Sequence, residues 1–141
     1  MNQQYDQLQV MFDAGDLDWL RDNIVALLGT GGTFTSTDTT VSDSGFVTSK
    51  QEPLAGRTIE DGSLIANAVL FTNVTPGVDH QLLLVKALPS GSPLVLGWFD
   101  EDYAQNPLRV DNPGSFIVRP FLADEAPASP PDSGVWLTVQ T

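Results

Sequence analysis

The feature that constrains this chain most is a series of short apolar runs separated by turn-forming residues. From Arg57 to Phe99, the pair of runs at 57–66 and the runs at 68–74, 81–86 and 94–99 start about eleven to thirteen residues apart. The clearest boundary is Asp61-Gly62, a dipeptide that suits a type I′ hairpin turn because both central residues of that turn take positive φ. Parallel strands would need crossover helices, for which the spacing leaves no room. The sequence therefore predicts antiparallel strands.

The predicted strands share an apolar run that is bounded by Gly, Pro, Asn, Asp or Ser. They are residues 24–28, 57–60, 63–66, 68–74, 81–86, 94–99, 115–119 and 135–139. Periodicity alone leaves a helix open for the first of these runs. The expected fold is mainly β, an antiparallel jelly-roll-like sandwich or barrel, in a single domain that spans residues 1–141.

A short helix is predicted at the N-terminus, over about residues 3–14. Tyr5, Leu8, Met11 and Phe12 form an approximate apolar stripe at helical spacing, with Gln and Asp on the other side. Gly15 is a suitable C-cap that would end this helix.

Three polar segments are predicted to be long loops. Residues 29–49 are dominated by Gly, Thr, Ser and Asp, which predicts an extended arm with at most one irregular strand. Residues 100–113 are acidic and contain Pro and Asn, and residues 123–133 contain three prolines. All three loops are expected to project from the β body.

Charge and cysteine content exclude several functions. The chain has 18 acidic and 6 basic residues, a formal charge of −12, and no cysteine. Such a surface repels phosphate, so neither nucleic acid nor an anionic membrane is an expected partner. Without cysteine there is no disulfide, no Cys-based metal site and no thiol nucleophile. No run approaches the roughly 18 apolar residues that a membrane-spanning helix requires.

Motifs for catalysis are also missing from the sequence. His80 is the only histidine and is expected to be a solvated turn residue. The glycine-rich residues 29–33 lack the lysine of a phosphate-binding loop and are expected to form a flexible turn. The carboxylate clusters at residues 16–22, 100–102 and 124–125 lack the order of a calcium loop. We therefore expect no enzyme activity, no cofactor and no metal.

Aromatic and apolar side chains indicate protein contacts instead. Tyr103 stands in an acidic loop near Arg109, and Phe34 stands in the Thr/Ser-rich segment. Aromatic residues and arginine are enriched at the centres of protein interfaces. Together with the helix stripe, they give the candidate interface residues Tyr5, Leu8, Phe12, Phe34, Tyr103 and Arg109.

The order of several blocks resembles a family of small structural proteins of tailed bacteriophages. The blocks are Tyr5 to Phe12 followed by Gly15-Asp16-Leu17-Asp18-Trp19-Leu20 and Ile24-Val25-Ala26-Leu27-Leu28, then residues 66–74, 82–86 and 92–100. This order covers most of the chain, although each block taken singly is a packing pattern. The proline-rich residues 123–133 and the Thr/Ser-rich segment depart from the family pattern.

The resemblance implies a capsid cementing or decoration protein with a jelly-roll-like body. Such a protein lies on the outer surface of the head, joins neighbouring subunits of the major capsid protein, and is assembled in the host cytoplasm. A homodimer or trimer is the expected unit. The family has no catalytic or cofactor residues to carry over.

Two other functions are kept as alternatives. The first is an accessory structural protein of the tail or baseplate, which would share the fold type. The second is a carbohydrate-binding jelly-roll module, which exposed aromatic side chains along one concave face would favour.

Overall fold

The computed structural model describes residues 2–121 and 132–141. These residues form ten strands and two helices. In chain order the elements are β1 Gln3–Gln4, α1 Gln7–Ala14, β2 Ile24–Thr30, α2 Val41–Ser44, β3 Val47–Pro53, β4 Thr58–Glu60, β5 Ser63–Asn67, β6 Val69–Phe71, β7 Gln81–Lys86, β8 Leu94–Phe99, β9 Phe116–Val118 and β10 Ser133–Thr138.

The strands form three antiparallel sheets. The largest sheet has the order β1-β8-β7-β2-β3, the second β10-β5-β4, and the third pairs β6 with β9. All pairings within the sheets are antiparallel. The expectation of a mainly β, antiparallel sandwich with a short N-terminal helix is therefore confirmed. The jelly-roll order of connections stays a prediction.

The local turn chemistry predicts the hairpin between β4 and β5 correctly. Asp61 and Gly62 both have positive φ, 49° and 83°, and Glu60 pairs with Ser63 across the turn. The predicted bounds of β7 and β8 also match. The predicted strand at 68–74 is shorter, because only residues 69–71 pair with β9.

The centre of the five-stranded sheet is buried on both faces. Leu82, Leu83, Leu84 and Val85 of β7 are each 0% exposed. Successive side chains of a strand point to opposite faces, so Leu82 and Leu84 join the main core while Leu83 and Val85 join a second core. Burial on both faces explains why this strand is an unbroken apolar run and does not alternate with polar residues.

The main core lies between the five-stranded sheet and the two smaller sheets. Its centre includes fully buried Trp136, with the rings of Phe99 and Phe121 at centroid distances of 5.4 Å and 6.0 Å. Both rings meet the indole edge-to-face, at 82° and 83°. This is a favoured aromatic geometry that adds to the burial of apolar area.

Residues 31–46, here called the flap, cover the other face of the five-stranded sheet. Phe34, Val41 and Phe46 of the flap pack in the second core. The side-chain amide of Gln81 holds the flap at Gly32, accepting from its backbone N–H at 2.9 Å and donating to its carbonyl at 3.2 Å. The prediction of a projecting loop over 29–49 is therefore wrong, because apolar anchors spaced along a polar segment bring it back onto the sheet.

The glycine-rich run at 29–33 begins within a strand. Gly29 is the sixth residue of β2, and the ladder with β3 shifts register between Leu28 and Gly29. A Cβ atom at Gly29 would overlap the backbone carbonyl of Val47. This glycine therefore permits a close approach of two strands, and the prediction of a flexible turn is wrong at this position.

The N-terminal helix begins at Gln7, four residues later than predicted. Gln3 and Gln4 instead form β1 and pair with Trp98 and Gly97 at the edge of the five-stranded sheet. The predicted C-cap is confirmed, since Gly15 has a φ of 76° and its N–H donates to the carbonyl of Phe12 at 3.2 Å.

Glutamine side chains join this N-terminal segment to the C-terminal strand. The Gln4 amide donates to the carbonyl of Thr138 at 3.0 Å and accepts from its N–H at 2.6 Å. Gln9 makes the same reciprocal pair with Gln140, at 3.0 Å and 2.8 Å. The two amides thus satisfy backbone groups at the C-terminal end of the chain that a further strand would otherwise satisfy.

Of the predicted loop at 123–133, residues 123–131 lie outside the described residues, and Ser133 opens β10.

Candidate functional site

The loop over residues 100–113 folds back over the start of β7 and buries His80. The backbone N–H of His80 donates to the carbonyl of Leu108 at 2.8 Å, and Leu108 is 0% exposed. A second bridge, between Glu101 and Pro107, closes the loop on itself. His80 is consequently only 4% exposed. The prediction of a solvated turn histidine is wrong, because the covering residues lie far along the chain.

The imidazole of His80 has an unmet hydrogen-bonding group. Its Nδ1 is buried and has no hydrogen-bond partner. In a neutral imidazole one ring nitrogen donates and the other accepts. A buried polar atom without a partner costs about 1–3 kcal/mol. His80 is therefore a buried polar group whose hydrogen bonding is incomplete.

His80 lines a surface cleft of about 310 Å³, here called the His80 cleft. Its lining also includes the acidic residues Asp79, Asp100 and Glu101, and no lysine or arginine among residues 2–121 and 132–141 lines it. Carboxylates grouped in a concave surface concentrate negative potential there. The cleft is therefore suited to cationic groups and to hydrogen-bond donors.

The N-terminus holds one wall of the His80 cleft. The Oδ1 of Asn2 accepts from the backbone N–H groups of Asp100 at 3.0 Å and Glu101 at 3.3 Å. The Nδ2 of Asn2 donates to the carbonyl of Glu101 at 3.0 Å. On the other side, the indole Nε1 of Trp98 donates to Oδ2 of Asp100 at 3.4 Å. Sequence reasoning missed this arrangement, because a lone Asn at a chain end carries no recognisable pattern.

Arg109, one of the predicted interface residues, lies beside the cleft. Its guanidinium contacts Asp79 at 3.2 Å and Asp111 at 3.8 Å, and its side chain is 46% exposed. Exposed ion pairs of this kind contribute about 0–1 kcal/mol. Arg109 can therefore exchange these internal partners for others at little cost.

The carboxylates near residues 16–22 organise a turn. Oδ1 of Asp18 accepts from the N–H groups of Leu20 and Arg21, at 3.1 Å and 3.2 Å. Oδ2 of Asp22 accepts from the N–H of Asp18 at 2.8 Å and lies 3.1 Å from Nζ of Lys86. Partial burial opposes ionisation of Asp22, but these hydrogen bonds and the lysine charge outweigh it and lower the pKa of Asp22.

Metal-ligating groups do not converge anywhere in residues 2–121 and 132–141. Within those ranges no three His, Asp or Glu side chains are placed to hold one ion. The three carboxylates of the His80 cleft thus line one surface without forming a coordination sphere.

Two of the predicted interface residues are not at the surface. Tyr5 is 2% exposed in the second core, and Leu8 is 1% exposed in the main core. As contacts with a partner these two predictions are wrong, because Tyr5 packs with flap residues in the second core and Leu8 packs in the main core. A deletion of residues 2–14 would remove core packing as well as surface.

The other aromatic candidates are half-buried. Phe12 and Tyr103 pack against the main core, and Phe34 packs against the second core with its ring 4.8 Å from that of Tyr5. The backbone N–H of Tyr103 donates to the carbonyl of Arg119 at 2.8 Å. These residues belong to two separate cores, so they do not form one surface.

One exposed apolar pair was missed by sequence reasoning. Leu70 of β6 and Ile117 of β9 lie directly opposite each other and are 50% and 45% exposed. Their strand neighbours Val69, Phe71 and Val118 are buried, as strand alternation requires. That alternation is the sequence signal that marks Leu70 and Ile117 as outward-facing.

Comparison with known proteins gave no match to a family model, to a curated protein sequence or to a solved structure. Neither helix in the described ranges is long and apolar enough to cross a membrane.

Proposed function

We propose that this protein is a virion structural protein that cements or decorates the outer capsid by bridging neighbouring subunits of the major capsid protein. The order of sequence blocks that resembles small phage structural proteins supports this proposal. The observation that carries it is an acidic surface whose charge the chain does not neutralise.

The structure uses most of its few cations internally. Lys86, Arg109 and Arg119 form ion pairs within the chain, and Arg57 donates to the backbone carbonyl of Trp19 at 2.8 Å. Acidic residues exceed basic ones by twelve. The remaining charge favours a basic partner surface and disfavours a position next to packaged DNA. An outer position on the capsid fits both conditions.

Attachment at more than one point would give a cement its strength. The His80 cleft and the Leu70–Ile117 pair lie on different elements and offer two kinds of contact, one charged and one apolar. When one contact is made, the second forms at a high effective concentration, so the joint is stronger than either interface alone. A homodimer or trimer would multiply these contacts in the symmetry of the lattice.

The carbohydrate-binding alternative gains no support from the described residues. The large apolar side chains that are exposed there are all aliphatic: Val10, Leu20, Val47, Ile59, Leu70, Val78, Leu88 and Ile117. Sugar-binding faces rely on exposed aromatic rings, and in these ranges no aromatic side chain is among the exposed ones. No observation favours this second function.

Cryo-electron microscopy of the particle that contains this protein tests the proposal directly. We expect density for a small β domain on the outside of the head, where major capsid subunits meet. Density on the tail or baseplate would support the accessory-protein alternative instead. Absence of the protein from the particle would overturn the proposal.

A variant distinguishes specific attachment from general charge attraction. Leu70→Ser with Ile117→Ser removes the exposed apolar pair, and Leu88→Ser is a matched control at a residue that is 37% exposed. Burial of two aliphatic side chains is worth a few kcal/mol, so we expect head binding to weaken at least about tenfold for the double variant. The control is expected to bind like the wild type. Equal binding by all three proteins would exclude the pair from the interface.

A further inference from the structure

We propose that the His80 cleft binds the guanidinium group of an arginine side chain. That this arginine comes from the major capsid protein rests on the function proposed above. The arginine site itself is argued from the cleft alone.

The first argument is charge. Asp79, Asp100 and Glu101 all contribute to the lining, and no lysine or arginine in the described part of the chain does. The side chain of Asp79 is 63% exposed and already accepts a guanidinium at 3.2 Å, that of Arg109. The contact between Arg109 and Asp79 is thus an example, at the rim of the cleft, of the guanidinium–carboxylate pairing that we infer for its interior.

The second argument is the spacing of the acceptors. A divalent metal needs its oxygen ligands at about 2.0–2.6 Å from one point, and no three acidic or histidine side chains in the described ranges meet that demand. A guanidinium instead presents five N–H donors in a planar fork and can bridge acceptors that stand apart. A compact ammonium group would reach fewer of them.

The third argument is the buried imidazole. His80 is only 4% exposed, and its Nδ1 has no hydrogen-bond partner. His80 is itself one of the residues that line the cleft. A guanidinium N–H would supply a donor and remove the cost of the unmet nitrogen. The amide of Gln81 is not available for this, because it already pairs with Gly32.

The site can be tested on the isolated protein by NMR titration with Nα-acetyl-arginine amide. His80 is the sole histidine, so its imidazole resonances are identified without ambiguity. We expect saturable shifts of those resonances and of the backbone amides of residues 79–81 and 100–105. Nα-acetyl-citrulline amide, which has the same shape without the charge, is expected to leave them unchanged at matched ionic strength. Equal shifts with both probes, or shifts that never saturate, would overturn the site.

Two charge-matched variants separate the cleft from general attraction. Glu101→Gln removes a carboxylate of the lining and is expected to raise the Kd for the arginine probe about fivefold or more. Glu60→Gln removes the same charge from an exposed strand outside the cleft and is expected to leave the Kd unchanged. Equal weakening by both variants would mean that only net charge matters. Unaltered far-UV circular dichroism shows that both variants are folded.

The outcome separates this inference from the proposed function. If the arginine probe binds but the particle carries no density for the protein on its head, the site stands and the capsid function is overturned. If the protein lies on the head but the probe gives no saturable shift, the capsid function stands and the arginine site is overturned.

Discussion

Replacing Tyr5 by phenylalanine is expected to stabilise the fold, although the change removes a polar group from the core. The ring of Tyr5 is 2% exposed in the second core, and its hydroxyl is buried without a hydrogen-bond partner. An unpaired buried hydroxyl carries a desolvation cost of about 1–3 kcal/mol. Phenylalanine keeps the ring contact with Phe34 and removes that cost, so the free energy of unfolding should rise by about 1 kcal/mol.

Urea unfolding followed by circular dichroism measures this change. With an m-value of about 1–3 kcal/mol/M, the midpoint of Tyr5→Phe should move up by about 0.5 M at an unchanged slope. Tyr103→Phe is the matched control, because its half-buried ring lies against the other core, and it should change stability by less than about 0.5 kcal/mol. Tyr5→Ala should cost about 3–5 kcal/mol, which shows that the ring itself is needed.

The same hydroxyl predicts a difference at alkaline pH. Burial, and secondarily the charge of Asp38, raises the pKa of Tyr5 in the folded protein. An unfolded tyrosine ionises near pH 10, so above that pH the unfolded state is stabilised by releasing a proton that the folded state still holds. The wild type should therefore lose stability from about pH 10 upward more steeply than Tyr5→Phe. If Tyr5→Phe is instead destabilised by about 1 kcal/mol at pH 7, the hydroxyl is hydrogen-bonded and the reasoning is refuted.

Three further changes test other parts of the fold. Gly29→Ala should destabilise the protein by about 2 kcal/mol or more, measured by urea unfolding, because the new Cβ would overlap the carbonyl of Val47; a neutral result would contradict that close approach. Leu8→Ala should cost about 2–5 kcal/mol, since the side chain is 1% exposed, and a surface role alone would leave stability unchanged. Asp22→Asn should remove about 1 kcal/mol at pH 7, and because the pKa of Asp22 is lowered by its partners, including Lys86, that contribution is present above about pH 4 and is lost as the pH falls below it. Thermal unfolding between pH 2.5 and 7 should show a smaller acid-side loss in the variant than in the wild type.

Strands that depend on local chemistry could be read from the sequence. The hairpin at Asp61-Gly62 is set by two residues that accept positive φ, and both take it. The unbroken apolar run of β7 predicts a buried strand with the correct ends. Each of these features follows from neighbours within a few positions along the chain.

The flap shows where this reasoning fails. Its composition is that of a surface loop, yet Phe34, Val41 and Phe46 pack in the second core. The polar composition of a segment describes its residues on average. Whether the segment packs on the sheet depends instead on a few apolar side chains spaced along it. The apolar stripe that includes Tyr5 and Leu8 likewise does not show by itself whether it faces a partner or the protein's own core, and both side chains are buried.

The candidate site was the part least accessible to sequence. The acidic residues at 100–102 were visible as a cluster, but the wall that they form is held by Asn2, and its histidine is covered through the backbone of Leu108. These contacts join positions that are separated by as many as 99 residues. No local pattern encodes a pairing of that kind.

The sequence by itself determined that the chain is an antiparallel β protein with an acidic surface. Strand period and turn chemistry depend on residues that are close together in the chain, and net charge depends only on composition. The tertiary structure alone decided which polar segments are buried, which apolar side chains stay exposed, and which carboxylates share a cleft with His80. Those outcomes depend on contacts between segments that are far apart in the chain, and such contacts are defined only in the folded structure.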